Sequence, residues 1–235
     1  MERYKRLFTL ENNLYQPLAP IIIEAGALQL DTISNKIFIQ LKFRSISPKT
    51  IIALQVNITT FDIGCTKISE LTNFQYLDLA EELGNTFGPK TPIFLPTENT
   101  RSFSIGDIIV FFSDGSCWKS IDSWMTLPMP TPKECDEEYL KQYKIEFGQQ
   151  ALYNFKTIHD LWQCSCGSYM QIDTPKCYNC GNLKDKFLSM DRNILEANLK
   201  ERLKNEQAIA IKIQKKKAIN HCFSIRIRFL YCTFY

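Results

Sequence analysis

Two close cysteine pairs constrain this chain more than any other feature. Cys164-Ser165-Cys166-Gly167 comes first and Cys177-Tyr178-Asn179-Cys180-Gly181 second, with ten residues, Gly167 to Lys176, between Cys166 and Cys177. Paired thiolates, each pair followed by glycine, suit a small zinc site. Four sulfurs take the corners of a tetrahedron about 2.3 Å from the ion, and no position remains for water. Gly167 and Gly181 can take the positive φ that turns a knuckle sharply and brings backbone N–H groups towards the sulfurs. The expectation is structural Zn2+ held by Cys164, Cys166, Cys177 and Cys180. A closed site of this kind leaves no open coordination position for catalysis.

Disulfides are the other use of paired cysteines. The N-terminus is charged and lacks the apolar stretch and cleavage site of a secretory signal. The expected location is therefore the reducing cytoplasm, where paired cysteines more often hold metal. Cys65, Cys117, Cys135, Cys222 and Cys232 lie outside the pairs. They read as small buried residues, although a bridge between Cys65 and Cys117 can be drawn.

The 235 residues suffice for one good core and a smaller module. The net charge of +3 gathers near the C-terminus, at Lys212, Lys215, Lys216, Lys217 and Arg226. There is no whole-molecule basic field to draw in nucleic acid. Between Trp162 and Asn182 the only charges are Asp173 and Lys176, which cancel. The histidines, His159 and His221, have no partner at a catalytic spacing, and no phosphate-binding loop, dinucleotide fingerprint or nucleophile elbow is present. A non-enzymatic chain is the expectation.

Residues 1–126 read as β-structure. Leu7–Leu10 and Leu14-Tyr15 flank a Glu11-Asn12-Asn13 turn and suggest a short hairpin or an edge lead-in, and Gly26 suggests a bulge. From Lys36 to Phe43, Ile37, Ile39, Leu41 and Phe43 share one face, which is the pattern of a half-buried strand. A second run places Ile52, Leu54, Val56 and Ile58 inward. The Ser/Pro turn between them predicts an antiparallel hairpin. Further strands are expected over residues 73–79, 93–95, 101–105 and 107–112, with a tight turn at Asp114-Gly115 and a returning strand from Ser116. Seven or eight short strands with no long helix predict an immunoglobulin-like antiparallel β-sandwich.

Leu127 to Lys133 holds Pro128, Pro130 and Pro132 and predicts a semi-rigid linker. Residues 134–187 are expected to hold a short capped helix, ended by Phe147-Gly148, and the zinc ribbon. Over 188–217 an amphipathic helix is capped by Asp191, with Leu195, Leu199 and Leu203 on one stripe and a lysine-rich end. Residues 218–235 form an atypical tail in which Phe223 to Phe229 alternates like a strand.

With these parts in order, the chain resembles a bacterial family of uncharacterised zinc-ribbon proteins. The matching residues are Glu2 to Phe8, Ile22-Ile23-Glu24-Ala25-Gly26-Ala27-Leu28, Gln40-Leu41-Lys42-Phe43, Ser47-Pro48-Lys49-Thr50-Ile51, Thr91 to Pro96 and Leu161 to Gly167. The resemblance covers residues 1 to about 217 and implies zinc at the four cysteines. Members often continue, past a lysine-rich stretch, into one membrane-spanning helix. Residues 218–235 depart from that pattern, and the expectation is a truncated or frame-shifted remnant of it. Three functional readings follow: a protein-interaction module with structural zinc, the soluble part of a membrane-anchored protein or held at a membrane surface through the C-terminal basic segment; a nucleic-acid-binding ribbon; and a redox-sensitive thiol switch. The first is favoured.

Overall fold

The computed structural model describes residues 3–232, with side chains over 3–216. The chain falls into two units, Met1–Pro132 with Tyr153–Lys184, and Lys133–Leu152 with Asp185–Tyr235. The ribbon therefore belongs with the β-structure. The short helix, expected to accompany the ribbon, belongs with the C-terminal helix instead.

Two antiparallel sheets form the body of the first unit. The larger joins β11 (Met125–Thr126), β2 (Leu14–Tyr15), β3 (Ile21–Asp31), β4 (Lys36–Ser45) and β7 (Thr86–Phe87), with β1 (Tyr4–Thr9) on β3 and β8 (Ile93–Phe94) on β4. The smaller runs β10 (Cys117–Lys119), β9 (Ser102–Phe112), β5 (Ile51–Phe61), β6 (Lys67–Tyr76). Alternation along β4 and β5 supplies the shared core: Ile37, Ile39, Leu41 and Phe43 from one sheet meet Leu54, Val56 and Ile58 from the other. The mainly β, antiparallel two-sheet architecture is the expected one.

Several local expectations are overturned. β4 and β5 do not form a hairpin; they lie in different sheets. Ser45 to Thr50 carries the chain across, with Ile46 fully buried. A turn signal marks a change of direction, but cross-strand hydrogen bonding decides which strands pair. Ile52 is exposed, because the β5–β9 register shifts between Ile51 and Ala53 and turns Ile51 inward. β1 and β2 both pair with β3 and not with each other. The bulge in β3 falls between Ile23 and Ala25, while Gly26 is needed for space, since a Cβ there would sit 3.0 Å from Leu10 Cβ. β6 begins at Lys67, earlier than expected, and residues 101–112 give the single strand β9. Cys65, Cys117 and Cys135 are exposed free thiols, not buried ones. Cys65 occupies a turn at φ 61°, and Cys117 lies on the open strand β10.

The ribbon strands are β12 (Lys156–Ile158), β13 (Leu161–Gln163) and β14 (Tyr169–Gln171). A second core fixes them to the sandwich: Leu161 and Tyr169 pack with Tyr15, Ala19, Ile22, Ile46 and Leu127. Polar bonds frame it. Tyr15 Oη donates to Asp160 Oδ2 at 2.6 Å, Leu18 N donates to the same oxygen at 2.6 Å, and Gln171 Nε2 donates to Ala19 O at 3.2 Å. The proline run is no free spacer. Leu127 is buried in this core, Tyr169 Oη donates to Pro128 O, Asn154 N donates to Thr131 O at 3.2 Å, and Pro132 bridges Tyr153. An extended segment that cannot continue a sheet serves as a strap along the ribbon.

In the second unit, Asp136 caps α1 (Glu137–Phe147) by accepting from Tyr139 N, and Gly148 ends it at φ 91°. α2 (Lys184–Ser189) follows the ribbon, and its Phe187 stacks on Phe147 at 4.4 Å between centroids. Asp191 caps α3 (Arg192–Cys232) by accepting from Ile194 N at 2.8 Å. Arg202 of α3 donates to Glu138 Oε2 at 2.7 Å and to Gln142 Oε1 at 2.9 Å. The strand expected over 223–229 is replaced by continuous helix. Residues 192–232 contain neither glycine nor proline, so nothing covalent interrupts the ladder. No helix among the described residues is long and apolar enough to cross a membrane.

If the second core couples ribbon to sandwich, Ile46→Ala should destabilise the first unit by about 2–5 kcal/mol. Amide exchange measured by mass spectrometry should quicken at Leu161–Gln163 as well as in the sandwich. Burial, followed by the neighbouring Asp160, pushes the Tyr15 phenol above its ordinary range, and burial raises Tyr169 to about 12. Both are folded as neutral phenols. Their contribution should be intact below about pH 10, the ordinary tyrosine value, and decline as pH rises further. A denaturant midpoint that did not fall between pH 9 and 11 would contradict this.

Candidate metal centre

The site is built from the ends of two turns. Cys164 directly follows β13, and Gly167, at φ 90°, donates its N–H to Cys164 O at 2.9 Å while Cys164 N donates to Ser168 O at 2.9 Å. The second turn repeats the pattern one residue longer. Gly181, at φ 76°, donates to Cys177 O at 3.0 Å, and Cys177 N donates to Asn182 O at 2.8 Å. These left-handed positions are what glycine supplies most cheaply. Trp162, fully buried, holds the intervening loop by donating from Nε1 to Thr174 O at 2.9 Å.

The four sulfurs of Cys164, Cys166, Cys177 and Cys180 lie within 4.8 Å of one another. Cys164 Sγ is 3.4 Å from Cys180 Sγ, and Cys166 Sγ is 3.6 Å from Cys177 Sγ. Disulfide sulfurs lie about 2.05 Å apart, so these contacts are not bridges. Four thiolates about 2.3 Å from a shared zinc-sized ion define a tetrahedron with edges of about 3.8 Å. The spacing fits. Among the described residues, this is the single cluster of histidine, cysteine or carboxylate groups arranged to hold a metal. The arrangement is compatible with metal binding.

Side-chain donors reach two of the four sulfurs. Asn182 Nδ2 donates to Cys180 Sγ at 3.3 Å and Asn179 Nδ2 to Cys166 Sγ at 3.6 Å. Ser168 Oγ lies 3.4 Å from Cys166 Sγ and can donate to it when the sulfur is ionised. Hydrogen bonds from Cys164 and Cys177 hold the Cys166 thiol far below its ordinary range. The shared bond with Cys166, that with Cys177 and burial push Cys164 the other way. Cys164 and Cys177 are buried, while Cys166 and Cys180 are half-buried.

Sequence motifs bring the four cysteines and both glycines to one place. The asparagines and Ser168 were not singled out from sequence, although Asn179 and Asn182 stand directly before and two residues after Cys180. Tyr178 lies against the sandwich, where a Cβ at Gly84 would fall 2.4 Å from its ring, and Arg44 sits over that ring at 6.0 Å. His159 is exposed in the β12–β13 turn at φ 52° and takes no part in the cluster. Comparison with protein-family models, curated proteins and solved structures gives no match. The immunoglobulin-like description thus rests on strand number and spacing.

Asn182→Leu removes a donor to Cys180 while keeping a similar volume. Metal affinity, measured by competition with a chromophoric chelator, should fall by about 10–100-fold. An unchanged affinity would mean that the bond does not orient the ligand.

Proposed function

We propose that the chain is a non-enzymatic protein-interaction module whose ribbon is held by one structural zinc ion. The observation that carries this reading is the closed four-sulfur cluster on a ribbon buried against the sandwich. Zinc fits the donor set because it accepts four thiolates tetrahedrally and has no redox chemistry of its own. When bound, it would supply cross-linking of the two turns. Cys164, Cys166, Cys177 and Cys180 would hold it, and Asn179 and Asn182 would keep two of the sulfurs oriented. The likeness to bacterial zinc-ribbon proteins belongs to this proposal, as does a cytoplasmic location. Association with a membrane surface is supported by the exposed stretch 209–216 of α3, where Lys212, Lys215 and Lys216 stand among exposed Ile209, Ile211 and Ile213.

The purified chain should contain one zinc per molecule by mass spectrometry, and Cys180→Ser should lower that content severely. Protons compete with metal for thiolates, so apparent affinity should fall as pH is lowered and recover as it is raised. The interaction reading is tested by reversible crosslinking in the source cells followed by immunoprecipitation with and without nuclease. A protein partner that persists after nuclease is expected. Recovery of nucleic acid alone, lost steeply with salt, would overturn the reading in favour of a nucleic-acid ribbon.

A further inference from the structure

The side of β4 opposite the core carries Phe38, Gln40, Lys42 and Arg44, and it faces a row of three depressions. One, about 590 Å3, lies against the first cysteine turn beside Arg44 and Tyr178. The next, about 380 Å3, is floored by Ala25 and Ala27. The third, about 420 Å3, is lined by Tyr4, Phe38 and Phe94. The second and third share Gln29, Gln40 and Pro89. The first and second meet at the ion pair of Lys42 with Glu24, 2.8 Å long. From Phe38 to Arg44 the groove runs about 20 Å, six strand steps at about 3.4 Å each.

We propose that this groove binds an extended acidic peptide segment of a partner protein, with an apolar or proline residue seated at the aromatic end. The inference rests on the interaction-module reading and assigns its surface. Three features decide the occupant. The first is charge. Arg3, Arg6, Lys42, Arg44 and Lys90 line the groove against only Glu24 and Asp31, a net charge of +3. Glu24 already serves Lys42 and Arg44, and Asp31 serves Arg3. Arg6 and Lys90 are both exposed, so a complementary ligand carries carboxylates.

The second feature is the aromatic end. Phe38 meets Tyr4 edge-on at 5.7 Å and 83°, and Phe94 at 5.8 Å and 51°. Rings set at such angles make a cup for one compact apolar group, and Tyr4 and Phe94 remain 46 % and 60 % exposed around it. The third is the floor. Ala25 and Ala27 lie low between Arg6 on one side and the Pro89 segment on the other, where Gln40 Nε2 donates to Pro89 O at 2.6 Å. A single-stranded nucleic acid would need stacked ring faces for successive bases and a cation for each phosphate. Here the rings are crossed at 83° and 51°.

The test pans a random eight-residue peptide library, displayed on phage, against the full zinc-loaded chain. Enriched peptides should combine acidic residues with an apolar residue or proline towards one end, and their affinity should weaken with added salt. For the best synthetic peptide, Phe94→Ala and the double variant Arg6→Glu, Lys90→Glu should each raise Kd at least about 10-fold, the effect of about 1.4 kcal/mol. Lys200→Glu, on the second unit, should leave Kd unchanged. Zinc content and circular dichroism establish that each variant is folded. No enrichment, enrichment of basic peptides, or tighter binding of an oligothymidylate than of any peptide would overturn the proposal. So would peptides indifferent to the groove variants. A crosslinked protein partner still captured by those variants would leave the interaction reading standing and remove only this surface.

Discussion

The structure depends on a core that neither the ribbon nor the sandwich could complete alone. The ribbon, Tyr153–Lys184, is far below the size at which a hydrophobic interior holds a fold together. Trp162 is its largest fully buried side chain, with Leu161 and Met170 beside it in sequence or register. Leu161 and Tyr169 set one end of the ribbon into the sandwich, and at the other end the four-cysteine cluster is placed to accept a metal cross-link. Because Ile22 lies on β3 and Ile46 on the crossing segment after β4, the ribbon packs where the chain passes from one sheet to the next. Loss of a metal held there would therefore remove one support and leave the other. An isolated zinc finger, whose folding free energy is its metal-binding free energy, has no such second support.

This arrangement also explains the proline run. Prolines at alternate positions normally mark a spacer, because each removes a backbone donor. Here carbonyls do the work. Pro128 O and Thr131 O accept from Tyr169 and Asn154, and acceptors are what proline retains. The run can lie along the ribbon without needing donors of its own. Tyr15 and Tyr169 complete the seam as buried phenols whose hydroxyls have found acceptors, so the polar cost of burying them is met locally.

Much of this was legible in the sequence, and for a consistent reason. Alternation along Lys36–Phe43 and the cysteine–glycine spacing are short-range patterns whose physics is local, and both predicted the geometry found. The failures share a cause too. Ser45 to Thr50 has the composition of a hairpin turn, but whether β5 returns beside β4 or crosses to the opposite sheet depends on β9, fifty residues downstream. Ile52 was read as inward because a perfect period of two was assumed, and the shift at Ile51/Ala53 is a property of the paired strand. The partnership of α1 with α3 rests on Arg202 meeting Glu138 and Gln142, sixty or more residues away. No local pattern encodes such a meeting.

The cysteine site shows the same division at smaller scale. Which cysteines gather is set by spacing, but what surrounds each sulfur is set by turn geometry. The first turn spans Cys-x-Cys and the second Cys-x-x-Cys, so their side-chain donors reach different sulfurs: Ser168 lies beside Cys166, and Asn182 donates to Cys180. Half-buried sulfurs are the ones supplied with side-chain amides, whereas buried Cys164 and Cys177 are protected by packing. Exposure to water would weaken a thiolate's hold on a cation, and a donor amide restrains the sulfur where packing does not. Tyr178 extends that logic outward. It is held between Gly84 and Arg44, and it fixes the second turn against the sheet at the end of the groove where Arg44 lies. The cysteine cluster therefore has a mechanical consequence away from itself. By holding the turn that carries Tyr178, it shapes one wall of the depression beside Arg44.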